Sequence, residues 1–67
     1  MEWPVGETRL FVSGIITITR EEPCFEASFT GTDCGDYGDT APEAVRALCE
    51  NHTSTLIEIM VREARRE

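Results

Sequence analysis

The chain contains no lysine. Its six basic residues are all arginine and stand against thirteen carboxylates, for a formal net charge of −7. That shortage argues against direct nucleic-acid binding, which is driven by neutralising phosphates. It also argues against anionic membrane surfaces. Half of the arginines, Arg62, Arg65 and Arg66, sit at the C-terminal end, where they oppose the negative end of a helix dipole. No run of about eighteen apolar residues is present, which excludes a spanning helix. Met1-Glu2-Trp3-Pro4 lacks the basic and apolar regions of a signal peptide, so a cytoplasmic location is expected.

Chemical signatures are equally sparse. The three cysteines, Cys24, Cys34 and Cys49, are an odd number that cannot all pair within one molecule, and free thiols are expected in a reducing compartment. Together with His52 they could form a Cys₃His zinc set, because Cys49 and His52 lie one helical turn apart. The tight Cys-x₂-Cys knuckle that gives such sets their specificity is missing, however, and Cys24 projects away from Phe25. The repeated Asp-x-Gly of Asp33 to Asp39 brings three carboxylates together as a calcium loop would, but the spacing is not that of an EF-hand and no bidentate Glu follows. A solvated turn is the better reading. There is no phosphate loop, no Ser-His-Asp arrangement and no oxyanion element beside Cys49 and His52, so neither an enzyme nor a cofactor is expected.

What the chain does have is a concentrated field. Between Arg20 and Asp39, one arginine faces Glu21, Glu22, Glu26, Asp33, Asp36 and Asp39, which accounts for five of the seven excess negative charges. A field this local attracts a basic surface and accelerates encounter with it. Glu21, Glu22, Glu26, Asp33, Asp36 and Asp39 are therefore the candidate partner-binding residues, with Tyr37 as a central anchor. They divide into two lobes, the Glu21-Glu22 turn and the Asp33 to Asp39 loop, placed at opposite ends of one strand and roughly 20 Å apart at about 3.3 Å per residue.

Forty percent apolar content supports a folded core. A chain of this size buries only about 60% of its unfolded surface, which leaves a thin stability margin. Arg9 to Thr19 reads as one strand, with Leu10, Val12, Ile16 and Ile18 on one face and Gly14 marking a bulge or a close approach. Arg20 to Pro23 is a hairpin turn. Cys24 to Gly31 returns with Phe25, Ala27 and Phe29 toward the core. Thr32 to Asp39 reads as a loop in which glycines supply positive φ, with Tyr37 placed to join a short third strand. Thr40-Ala41-Pro42-Glu43 has capping-box spacing and opens a helix. From there Val45, Leu48, Cys49, His52, Leu56, Ile59 and Met60 keep one phase, which favours a single helix from Ala41 to about Arg65 over two helices broken near His52. Glu58 and Arg62 have the spacing of a favourable ion pair on it. Ile57, Val61 and Ala64 form a second apolar strip, a candidate homodimer contact. Trp3 is either a lid on the core or an exposed interface anchor. The sum is an α+β fold in one domain, residues 1–67: an antiparallel hairpin, with or without a short third strand, packed on one C-terminal helix that is continuous or broken near His52.

Gly38-Asp39-Thr40-Ala41-Pro42-Glu43-Ala44, after strands and at a helix start, resembles the Gly-Asp-Thr-x-x-Glu-Ala stretch of HicB-like antitoxins. That resemblance implies a partner that is a small basic toxin ribonuclease. The Pro-Gly-Cys element usual in the family just upstream is absent, with Asp33-Cys34-Gly35 in a similar place, and there is no DNA-binding extension. In size, acidity and α+β make-up the chain is also similar to the small phage-encoded anti-CRISPR and anti-restriction inhibitors. This second resemblance implies a non-enzymatic protein, acting in the host cytoplasm, that blocks a basic nucleic-acid-binding surface of a defence complex. The inhibitor is the leading expectation, the antitoxin its alternative, and a small metal-binding protein the second alternative.

Overall fold

A computed structural model describes residues 3–65 of the chain. Its elements are β1 (Thr8–Phe11), β2 (Ile16–Arg20), β3 (Phe25–Phe29), β4 (Gly35–Gly38), α1 (Ala41–Asn51) and α2 (Thr53–Arg65). The four strands form one antiparallel meander in the order β1-β2-β3-β4. The chain is thus α+β, with the helices following the sheet.

The segment Arg9 to Thr19 is two strands and not one. Phe11 pairs with Ile16 across a tight turn, with Gly14 N–H on the Phe11 carbonyl and Ile15 N–H on the Val12 carbonyl, both at 3.1 Å. The reversal requires left-handed backbone at three successive residues, Val12 (φ 53°), Ser13 (φ 57°) and Gly14 (φ 85°). Only glycine adopts that region without cost, and a β-branched valine there is unusual, so Val12 conceals the turn in the sequence. The turn also exchanges faces. Phe11 joins Arg9, Ile16 and Ile18 on the inner side, while Leu10 and Val12 are left exposed at 66% and 62%.

The second hairpin follows expectation. Glu21 N–H closes its turn on the Cys24 carbonyl at 2.8 Å, and Ala27 and Phe29 are fully buried. Thr32 to Asp39 then contains more than a loop, since Gly35 to Gly38 pair with Phe25 to Ser28 as β4. Of the glycines near this return only Gly31 has positive φ. Gly38 serves a different purpose, because a Cβ there would stand 2.4 Å from the Ala44 nitrogen and 2.7 Å from the Glu43 carbonyl carbon. The missing side chain lets the start of α1 lie directly on β4.

At the start of α1 the Thr40 hydroxyl accepts the Glu43 N–H at 3.3 Å, and Pro42 occupies the first turn, where its lack of an N–H is harmless. The helix runs back along β4: Ala44 abuts Gly38, Asn51 bonds Asp36, and Thr55 of α2 meets the Cys34 thiol at 3.6 Å. Ala44 and Leu48 complete a buried cluster with Ile16, Ile18, Ala27, Phe29 and Ile59.

The helical stretch breaks at His52, whose backbone (φ −130°, ψ 44°) leaves the helical region. Thr53 Oγ1 donates to the Cys49 carbonyl at 2.8 Å and approaches the Glu50 carbonyl at 3.2 Å. A side-chain hydroxyl thus serves carbonyls at the end of α1, the competition by which short polar residues disfavour helix interiors. The continuous helix expected from the apolar phase is therefore two helices. The phase also overreached at its far end: Met60 is exposed, and Ile59 is the only buried residue of α2. The Glu58–Arg62 pair does not form, whereas Arg46 and Glu50 on α1 do pair, at 3.1 Å.

Trp3 is a lid. Its indole N–H donates to the Glu7 carbonyl at 2.9 Å, its ring stacks on Phe11 at 5.8 Å and meets Phe25 edge-on at 5.3 Å, and the Arg9 guanidinium lies 4.7 Å above it. Arg20 reaches the Trp3 carbonyl at 2.5 Å. These contacts cover part of the inner face of β1, which α1 does not reach. Among the described residues no helix is long and apolar enough to cross a membrane.

Candidate protein-binding surface

The return of β4 decides how the carboxylates are grouped. Phe25 pairs with Gly38 and Glu26 with Tyr37, so the chain leaves β4 beside the β2–β3 turn. Asp39 therefore lies at the Glu21-Glu22 end of the sheet, and only Asp33 remains at the other. The two lobes expected at opposite ends of a strand are, apart from Asp33, one edge.

That edge is organised around the outer face of the sheet, which neither helix covers. Strand alternation places Thr8, Thr19, Glu26 and Tyr37 in one row across it, and Leu10, Thr17, Ser28 and Gly35 in the next. The hydroxyls are paired across strands, Thr8 with Thr19 at 2.6 Å and Thr17 with Ser28 at 2.9 Å. Such pairs satisfy the polar groups of a half-solvated sheet without burying them. At the end of the first row Tyr37 stands 56% exposed. Its phenol ionises above the ordinary value of 10.0, chiefly because of the Glu26 carboxylate beside it, then through partial loss of solvent, then Glu21 and Cys24. The shift reports a negative field around the ring.

The carboxylates at this end of the sheet are largely left unneutralised by the chain itself. Glu21, Glu26 and Asp39 take part in no ion pair among the described residues. Glu22 is the exception on this edge, 3.7 Å from Arg20. Arg20 otherwise points inward, to the Trp3 carbonyl.

Asp36 has a different employment. Its neighbours on β4 face outward, whereas it faces α1, where it accepts a hydrogen bond from Asn51 Nδ2 at 2.6 Å and another from the Tyr37 N–H at 3.0 Å. Both stabilise the carboxylate and hold its pKa below the ordinary 3.8, the Asn51 bond most strongly. Asp36 thus ties the end of α1 to β4. Asp33 is exposed in the β3–β4 turn, apart from the others.

The three thiols are partly buried and free. Cys34 faces Thr55 of α2, and Cys24 belongs to the β2–β3 turn. Among the described residues no three His, Cys, Asp or Glu side chains converge as a metal ion would require. One feature escaped the sequence reading altogether, an apolar groove between β1 and the start of α1, lined by Trp3, Phe11, Ile18, Ala41, Pro42 and Val45. Its only local signal was Trp3, because Phe11 and Val45 approach each other through tertiary packing alone.

Comparison with protein-family models, with curated proteins and with solved structures finds no match to this chain.

Proposed function

We propose that this chain is a non-enzymatic inhibitor-type protein. Its acidic edge, Glu21, Glu22, Glu26 and Asp39 around Tyr37, docks on a basic protein surface of the kind that otherwise holds nucleic acid. The observation that supports this reading is the exposed Tyr37 ring in the field of the unpaired carboxylates Glu26 and Glu21. A tyrosine in such a setting offers a rigid apolar contact, and the carboxylates supply steering and charge-assisted hydrogen bonds to arginine or lysine. The anti-CRISPR and anti-restriction resemblance fits the same chemistry, with a host defence complex as the partner. A homodimer would carry two such edges.

The experiment is capture from a bacterial lysate on the immobilised chain, identification of the captured complex, and titration of that complex against variants. Reversing Glu21, Glu26 and Asp39 to Lys is expected to weaken binding by at least about a hundredfold, the equivalent of roughly 2.8 kcal/mol. Asp33→Lys, at the far end of the sheet, is expected to change it by less than about threefold. Added nucleic acid should compete. Capture of a small basic ribonuclease instead of a defence complex would move the assignment to the HicB-like antitoxin. Unchanged affinity of the triple variant would overturn the docking edge itself.

A further inference from the structure

From α2, a surface unrelated to the acidic edge, we infer a second interaction: two copies of the chain associate through antiparallel pairing of α2 about a two-fold axis near Met60 and Val61. Ile57, Met60 and Val61 are exposed at 54%, 56% and 44%, and Ala64 is exposed as well. At 100° per residue these four span one side of the helix. Ile59, the residue by which α2 holds on to its own domain, projects from the other. Ile57 and Val61 floor a shallow hollow whose remaining walls are Glu58, Arg62 and Arg65.

Charge identifies the occupant. On a chain of net charge −7, two copies repel wherever they meet through the sheet or α1. The α2 segment is the exception, since Glu58 and Glu63 balance Arg62 and Arg65. Glu58, Arg62 and Arg65 form no ion pair among the described residues, although all three share the flank of the hollow. An antiparallel two-fold brings that flank against itself in reverse order. Glu58 of one copy then meets Arg62 and Arg65 of the other, twice by symmetry, while Ile57 sits opposite Ala64 and Met60 opposite Val61. A parallel two-fold pair would instead set this flank against the opposite one, bringing Glu58 of one copy toward Glu63 of the other. The seam from Ile57 to Arg65 is only about 13 Å long at about 1.5 Å per residue, shorter than a permanent interface requires, so association is concentration-dependent.

Sedimentation equilibrium of the full chain, from micromolar to millimolar concentration, is the test. The expected result is a monomer–dimer equilibrium, weakened about tenfold or more by Val61→Glu, which places a charge in the apolar seam. Far-ultraviolet circular dichroism should show an unchanged fold, because Val61 is exposed. Glu58→Arg alone and the pair Arg62→Glu with Arg65→Glu should each associate more weakly than the natural chain, while an equimolar mixture of the two should recover a heterodimer. A chain that stays monomeric throughout would overturn the inference. So would a dimer indifferent to Val61→Glu, or a mixture of the charge variants that fails to associate. Loss of dimer in the acidic-edge triple variant would place the contact elsewhere and overturn it too.

Discussion

α1 and α2 are comparably amphipathic, adjacent in sequence and nearly equal in length, yet α1 buries Ala44 and Leu48 completely whereas α2 buries only Ile59. The difference lies in what each helix has to rest on. Strands of four or five residues extend about 13 to 17 Å. The eleven residues of α1 cover about 16 Å, and the whole helical stretch would reach about 36 Å if straight. The sheet therefore has room for one helix. Beyond the point where Cys34 meets Thr55, α2 reaches the core only through Leu56 and Ile59, and its next turn overhangs a hollow walled by the Ser13 to Ile15 turn and Thr30. An apolar stripe states that a helix has a face to cover. Whether anything covers it is set by the dimensions of the opposing layer.

The sharpest way to break this comparison is to make equivalent truncations on the two helices. Leu48→Ala removes a fully buried side chain and is expected to cost about 2 to 5 kcal/mol. Ile57→Ala, from an exposed site, should stay within about 0.5 kcal/mol at concentrations where the chain is monomeric. Urea denaturation of both variants measures the contrast, and equal losses would show that α2 is as well anchored as α1. A smaller effect is expected at the socket itself. Gly38→Ala puts a methyl group into the backbone of Glu43 and Ala44, and displacing the start of α1 should cost about 1 to 3 kcal/mol in the same assay.

The smallest effect sharpens the boundary between the helices through pH. Folding lowers the Asp36 pKa below 3.8, so near that pH the folded chain holds fewer protons than the unfolded chain. The contribution of Asp36 is then fully present above that value and disappears as the pH falls through the depressed one. Denaturation midpoints measured from neutral pH to acid should show this component, and Asn51→Ala should diminish it. An unchanged profile in that variant would remove Asn51 as its cause.

Legibility in the sequence followed the range of the interactions. The Thr40 cap, the β2–β3 hairpin and the alternation of Phe25, Ala27 and Phe29 depend on neighbours a few residues away, and each was readable. The β1–β2 turn was not, because Val12 and Ser13 adopt backbone that their side chains disfavour, and the ladder beyond them holds it there. The break at His52 was written in the poor helix-formers Asn51 to Thr55 but was outweighed by an apolar phase that continued across them. The acidic residues themselves were evident from the first count. Their grouping was hidden, since it depends on β4 pairing with β3, and β4 is a strand containing two glycines and an aspartate. For the same reason Asp36 read as one more surface carboxylate, although it bonds across to the end of α1.

The Trp3 clasp gives the chain an unusually local optical signal. Trp3 is the only tryptophan, and it is held against Phe11, Phe25 and Arg9 on the sheet side of the molecule. Intrinsic emission from this protein therefore describes the attachment of the N-terminal segment, and it is blind to α2. Circular dichroism, weighted toward helix, instead reports α1 and α2 together. Recorded together during unfolding, the two signals work as separate gauges for the N-terminal clasp and for the helical layer, without any label being introduced.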